Sequence, residues 1–186
     1  GTYRLSAGTL GIGNSWTLGT TGTMDFNNGT AAITVSPGAS VNLAQGTIAN
    51  SGSASLTILG NETFVILPAG FNPAAAFGSF ANQGTTYSVG GTLEILAGRS
   101  LQLTGTFTDP VIVSGTLTPA NGTNLSLTGG LTVLAGGSAN LGSGTLLYRS
   151  GTYGLDGGWL TAGATTVGSS GSATFSQTDG SIVASN

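Results

Sequence analysis

The chain has no cysteine, no histidine and no lysine, and only 5% of its 186 residues are charged. Without cysteine there is neither a disulfide scaffold nor a thiolate metal site. Without His, Cys or Lys, the groups most easily tuned to exchange protons near neutrality are missing. Acid–base chemistry would rest on Asp25, Glu62, Glu94, Asp109, Asp156 and Asp179 alone. The three cations, Arg4, Arg99 and Arg149, stand against a net charge of −3, so no basic stripe exists for a phosphate backbone and nucleic acid is excluded as a partner. No apolar run reaches the roughly 18 residues of a membrane-spanning helix, so no membrane insertion is expected. The start at Gly1 carries no charged segment followed by an apolar one, as expected of a processed or excised piece.

What the chain does have is glycine, 34 residues of it, with 39% hydrophobic residues and a mean hydropathy of +0.30. That apolar content is enough for a core, and the chain is expected to fold as one domain over residues 1–186. Near absence of charge combined with abundant Gly, Thr, Ser and Asn points to the outside of a cell.

One pattern returns three times with different residues. Leu93-Glu94-Ile95-Leu96-Ala97-Gly98-Arg99-Ser100-Leu101-Gln102-Leu103 matches Ile33 to Leu43 and Leu131 to Leu141. Each copy places a polar residue between two apolar ones, then a Pro-Gly or Ala-Gly turn with a Ser, then a second apolar–polar–apolar triplet. Period-two alternation makes this strand, tight turn, strand, with Thr34, Asn42, Glu94, Gln102, Thr132 and Asn140 facing solvent. The copies start about 60 and about 38 residues apart, which predicts stacked coils of about 19 or 20 residues. The fold class expected is all-β: a parallel β-helix, or β-solenoid, of roughly nine coils.

Gly-Thr pairs, among them those starting at Gly1, Gly8, Gly22, Gly29, Gly84, Gly91, Gly105, Gly115, Gly122, Gly144 and Gly151, mark the expected corners, glycine turning with positive φ and Thr opening a strand. Residues 67–83 break the rhythm. Their prolines and Phe71, Phe77 and Phe80 predict an excursion with a helical turn near Pro73, which either folds back over the coils or presents the three rings as a docking loop.

The units Gly1-Thr2-Tyr3-Arg4-Leu5 with Gly8 and Leu10, and Gly151-Thr152-Tyr153-Gly154-Leu155 with Gly158 and Leu160, together with Leu131-Thr132-Val133-Leu134-Ala135-Gly136, resemble the β-strand repeats associated with autotransporter passenger domains. They are also similar to repeats of haemagglutinin-like bacterial surface adhesins. The resemblance covers most of the chain outside residues 67–83. It implies an extracellular, right-handed parallel β-helix on a bacterial cell surface.

Sites for chemistry are sparse. The acids are scattered, and only Asp156 and Asp179, little more than one coil apart, are spaced to meet on neighbouring coils, either as turn carboxylates or as a cation site. No catalytic residue, metal site or cofactor is assigned, and the chain is read as a non-enzyme. Thr106-Phe107-Thr108 and Thr116-Leu117-Thr118 have the outward Thr pattern of ice-ordering surfaces, but most other coils do not repeat it. Trp16, Trp159, Tyr3, Tyr148 and Tyr153 are candidates for stacking on a glycan.

A solenoid's end coils expose strand edges and open core, and no charged cap is legible at either end. The self-assembly residues expected are Tyr3, Leu5 and Leu10 at one end and Phe175, Ile182 and Val183 at the other. The leading expectation is a structural subunit that forms a homo-oligomer by head-to-tail stacking into a fibre or layer. The alternative is a passenger segment of an adhesin that binds a glycan or a cell-surface ligand.

Overall fold

The computed structural model describes residues 1–119, 125–140, 145–148, 151–167 and 172–184. It is an all-β chain whose parallel sheets stack as a β-solenoid of about seven turns, fewer than the nine expected. The chain divides into two compact units, Gly1–Gly91 and Thr92–Asn186.

In the first unit each coil contributes up to three strands. They are β1 (Thr2–Arg4), β2 (Thr9–Ile12) and β3 (Ser15–Thr17), then β4 (Thr23–Asp25), β5 (Ala32–Val35) and β6 (Ser40–Asn42). A third coil holds β7 (Thr47–Ala49), β8 (Ser55–Ile58) and β9 (Phe64–Leu67). A short helix, α1 (Pro73–Ala76), then precedes β10 (Ser79–Asn82) and β11 (Thr85–Ser88). Three parallel sheets result, ordered β1-β4-β7, β2-β5-β8-β10 and β3-β6-β9-β11. One turn carries Thr2 to a place beside Thr23, Ser15 beside Ser40, Thr9 beside Ala32, and Ala32 in turn beside Ser55. The turns are longer than expected because several corners are long, among them residues 26–31 between β4 and β5 and 50–54 between β7 and β8, with Asn27, Asn28 and Asn50 in the left-handed region.

The second unit has shorter turns. It runs β12 (Leu93–Ile95), β13 (Ser100–Leu103), β14 (Gly105–Phe107), β15 (Val111–Val113), β16 (Thr116–Pro119) and β17 (Leu125–Leu127). There follow β18 (Leu131–Leu134), β19 (Ser138–Asn140), β20 (Thr145–Tyr148), β21 (Gly151–Ala162), β22 (Ala164–Val167) and β23 (Ala173–Ala184). β21 is long enough to pair with both β18 and β19, so two ladders merge into one sheet, β12-β15-β18-β21-β19-β16-β13, with β23 along β21. A second sheet is ordered β14-β17-β20-β22.

The three strand–turn–strand copies fold as their pattern requires. Each inner apolar residue that the structure describes is buried, from Ile33, Val35, Val41 and Leu43 through Leu93, Ile95, Leu101 and Leu103 to Leu131, Val133 and Ala139. The intervening polar residues are half-buried or exposed. Gly38, Gly98 and Gly136, at the same place in the three turns, have φ of 75°, 76° and 79°, where a Cβ is strained.

The Gly-Thr pairs are corners for a different reason from the one expected. Strands do open on Thr2, Thr9, Thr23, Thr47, Thr85, Thr116 and Thr145. Several of the preceding glycines, however, lack positive φ and are instead sites of close approach. At Gly115 a Cβ would lie 2.3 Å from the carbonyl oxygens of both Leu96 and Arg99, so only glycine lets the turn close.

The excursion is narrower than 67–83. Leu67 ends β9, and β10 rejoins a sheet beside β8, leaving 68–78 outside the ladders. Asn72 caps α1 by accepting from the Ala74 amide at 3.0 Å. The Ser51 hydroxyl donates to the Ala76 carbonyl and the Ser88 hydroxyl to the Phe71 carbonyl, so the segment is tied back onto the coils.

Candidate functional site

Three locations collect the features expected to carry function: the outer ends of the ladders, the 68–78 cover, and the polar groups that stand on the corners.

β1, β2 and β3 are each the outermost strand of their sheet. The residues they carry are less covered than their counterparts one turn on. Tyr3 is 44% exposed while its neighbour in register, Met24, is fully buried. Leu5, Leu10 and Trp16 are half-buried against the core cluster that begins with Ile12 and Leu18. In the second unit β23 has β21 on one side, and its Ile182 and Val183 are 37% and 46% exposed although Leu160, beside Ile182, is buried. Phe175 is half-buried in register with buried Tyr153. All six residues expected at self-assembling ends are thus on outermost strands or directly beside one.

The likeness between residues 1–10 and 151–160 does not carry over to position. The first stretch supplies β1 and β2 to two different sheets, whereas the second runs as the single strand β21. An apolar–turn–apolar spacing of this kind fits more than one corner, so end stacking need not bring like units together.

Of the two readings of the segment that carries Phe71, Phe77 and Phe80, the fold-back over the coils describes Phe77. Phe77 is only 5% exposed and sits edge-on to Phe26, with ring centroids 5.5 Å apart. Phe71 is edge-on to Phe77 in turn, and both Phe71 and Phe80 are half-buried against the same core. Phe77, at the C-cap of α1, joins the first unit's core with Phe71 and Phe80 packed against it, while α1 itself buries no residue.

The strongest polar cluster joins three successive coils. Arg4 Nε donates to Asp25 Oδ2 at 3.0 Å, while Asp25 Oδ1 accepts from the Asn27 amide at 2.9 Å and from Asn50 Nδ2 at 2.8 Å. The Asn50 side chain, the Asn27 amide and Arg4, in that order of weight with burial opposing, hold the Asp25 carboxyl below its ordinary value. Both oxygens of this carboxylate are engaged by the fold itself, which leaves it no free base for chemistry. No sequence motif announces the cluster, yet Arg4, Asp25 and Asn50 stand about one turn apart.

Asp156 and Asp179 do meet, as register partners on β21 and β23. Asp179 Oδ1 accepts from the Gly180 amide at 2.7 Å, the work of a turn carboxylate. Among the described residues no group of three or more Asp or Glu could hold a metal ion. Thr116 and Thr118 have Ser100 and Gln102 beside them, so no flat Thr ladder forms there. No described helix is long and apolar enough to cross a membrane.

The arrangement defines a parallel β-solenoid whose polar corner groups serve the backbone. Comparison with protein-family models, curated proteins and solved structures finds no match.

Proposed function

We propose that this chain is a structural, non-enzymatic subunit of an extracellular bacterial fibre or layer, and that copies stack head to tail through the ends of their ladders. The observation that carries this reading is the coincidence of edge and core at β1, β2 and β3. The strands that end their sheets also carry Tyr3, Leu10 and Trp16, with Leu5 directly after β1, and these are less buried than the residues one turn on. A parallel strand from another copy would satisfy both at once, at about 4.8 Å per coil. For the other side of the junction, β23 offers Phe175, Ile182 and Val183. Such a heterologous contact repeats without closing, which is the geometry of a fibre. The surface location rests on composition and on the autotransporter-like repeats.

A charge placed in either end ladder tests it. Leu5→Asp and Ile182→Asp, separately or together, should reduce the chain to a single sedimenting species at concentrations where the parent assembles. Assembly that survives both changes would rule out end stacking.

A further inference from the structure

The six Trp and Tyr side chains, which have the chemistry to stack on a sugar, separate sharply in the structure, and Tyr87 is buried. Tyr153 is buried, with its hydroxyl donating to the Leu127 carbonyl. Trp16 packs against the first unit's core, Tyr3 lies on an outermost strand, and the Tyr148 side chain falls outside the described residues. Trp159 alone stands in the middle of a sheet face and points out of it. At 60% it is the most exposed large apolar side chain among the described residues, while Leu160 next to it is buried.

A single exposed apolar residue is ordinary on a protein surface. The setting of this one is not. β21 is paired on both sides here, with Ser138 and Ser181 beside Trp159, so the ring rises from a rigid strand rather than a loop. Neither neighbour is long enough to cover an indole. The adjoining outward column, by the same register, includes Gln102, Thr118, Asn140, Thr161 and the exposed Val183 of β23. The face is therefore one flat aromatic beside uncharged amides and hydroxyls, with Val183 at its edge, at strand spacings of about 4.8 Å, which is comparable to the width of a sugar ring. Among the described residues of this unit the one cation, Arg99 on the turn before β13, lies three strands away. Asp156 and Asp179 stack on the turn that leads into this part of the sheet. That charge pattern repels polyanions.

We infer that Trp159 is the platform of a shallow site for a neutral glycan. A pyranose C–H face would stack on the indole, and Asn140 and Thr161 would hydrogen-bond its hydroxyls. Because the platform is fixed by the sheet, binding costs little ordering of the protein. Trp159 itself is one strand in from β23, the strand proposed for end stacking.

The test uses the chain's own fluorescence. It has two tryptophans, so Trp16→Phe leaves Trp159 as the sole reporter. The probes are cellohexaose, chitohexaose, xylohexaose and mannohexaose, with dextran sulfate as the polyanion. At least one neutral probe should give a saturable blue shift with a dissociation constant of about 0.1–1 mM. Affinity should fall tenfold or more in Trp159→Ala, measured by calorimetry, and severalfold in Asn140→Ala, whereas Trp159→Tyr keeps part of it. Dextran sulfate should give no shift, and Leu5→Asp with Ile182→Asp should leave sugar binding unchanged. The inference is overturned if none of the four probes saturates, if Trp159→Ala binds as well as the parent, or if the Trp159 signal follows protein concentration rather than sugar.

Discussion

A turn of the first unit runs from Thr2 to Thr23 or from Ser15 to Ser40, whereas in the second a turn closes as early as Ser100 to Thr116, and the longer corners bring polar side chains into the closure. In residues 1–91 the longer corners are stabilised by side chains. Asp25 gathers Asn27 and Asn50, Asn42 Oδ1 accepts from the Ala44 amide at 3.0 Å, and the buried Thr63 hydroxyl accepts from the Gly38 amide at 3.1 Å. All the described non-glycine residues with positive φ, Asn27, Asn28 and Asn50, are also there. In residues 92–186 the described shorter corners press backbone on backbone, as at Gly115, and one corner vanishes where β21 continues through it; the first unit uses close approach as well, a Cβ on Gly29 meeting the Ser6 carbonyl oxygen. A coil can thus be closed by added polar side chains or by the absence of a side chain. The ladders themselves are indifferent to which.

Substitutions can break that contrast, and the largest effect belongs to the cover of the first unit. Phe77→Ala should cost about 3–5 kcal/mol, read by urea unfolding, because it empties the ring site beneath α1 beside Phe26. Phe80→Ala, at a half-buried site, should cost well under half as much; equal costs would mean that Phe77 does not seal the core. Next comes Gly115→Ala, expected to cost about 1–3 kcal/mol because two carbonyl oxygens must move. Gly38→Ala should cost about 1–2 kcal/mol through its left-handed φ of 75° alone. If Gly115→Ala proved neutral, the short corners would not depend on close approach.

The smallest effect sharpens the contrast through pH. Asp25 has a lowered carboxyl in the folded chain, so its stabilisation is complete above the ordinary carboxylate value of about 3.9 and is lost as pH falls through the lowered folded value. The melting temperature of the parent should therefore drop on acidification below about pH 4 more steeply than that of Asp25→Asn. Parallel acid limbs would remove Asp25 from the account. Arg4→Ala should change little, because the Arg4 side chain is 64% exposed to solvent that screens the pair.

The sequence made the repeating corner legible and concealed much of what fills it. Alternation alone placed Leu93, Ile95, Leu101 and Leu103 inside and Glu94 and Gln102 outside, since strand geometry leaves a two-residue period no other choice. A further copy, Leu56 to Leu67, escaped because its turn is longer and its second strand, Phe64-Val65-Ile66-Leu67, lacks a polar residue to mark the outward side. Nine turns overcount the coils because the 60 residues from Ile33 to Leu93 divide evenly by 20, whereas the ladder advances 23 residues from Ile33 to Leu56 and 24 from there to Phe80. Burial of Phe77 depends on Phe26, far earlier in the chain, and no local pattern encodes that meeting. The Asp25 cluster left a trace in the one-turn spacing of Arg4, Asp25 and Asn50, but a search for paired acids passes over an acid matched with a base and an amide.

The central claim is that the ladder ends are made to receive another copy, and electron microscopy of the purified chain across a concentration series tests it most directly. The account predicts fibres that lengthen with concentration, with an axial repeat set by one chain, and their loss in Leu5→Asp with Ile182→Asp. Isolated particles of one chain's size at every concentration would contradict it.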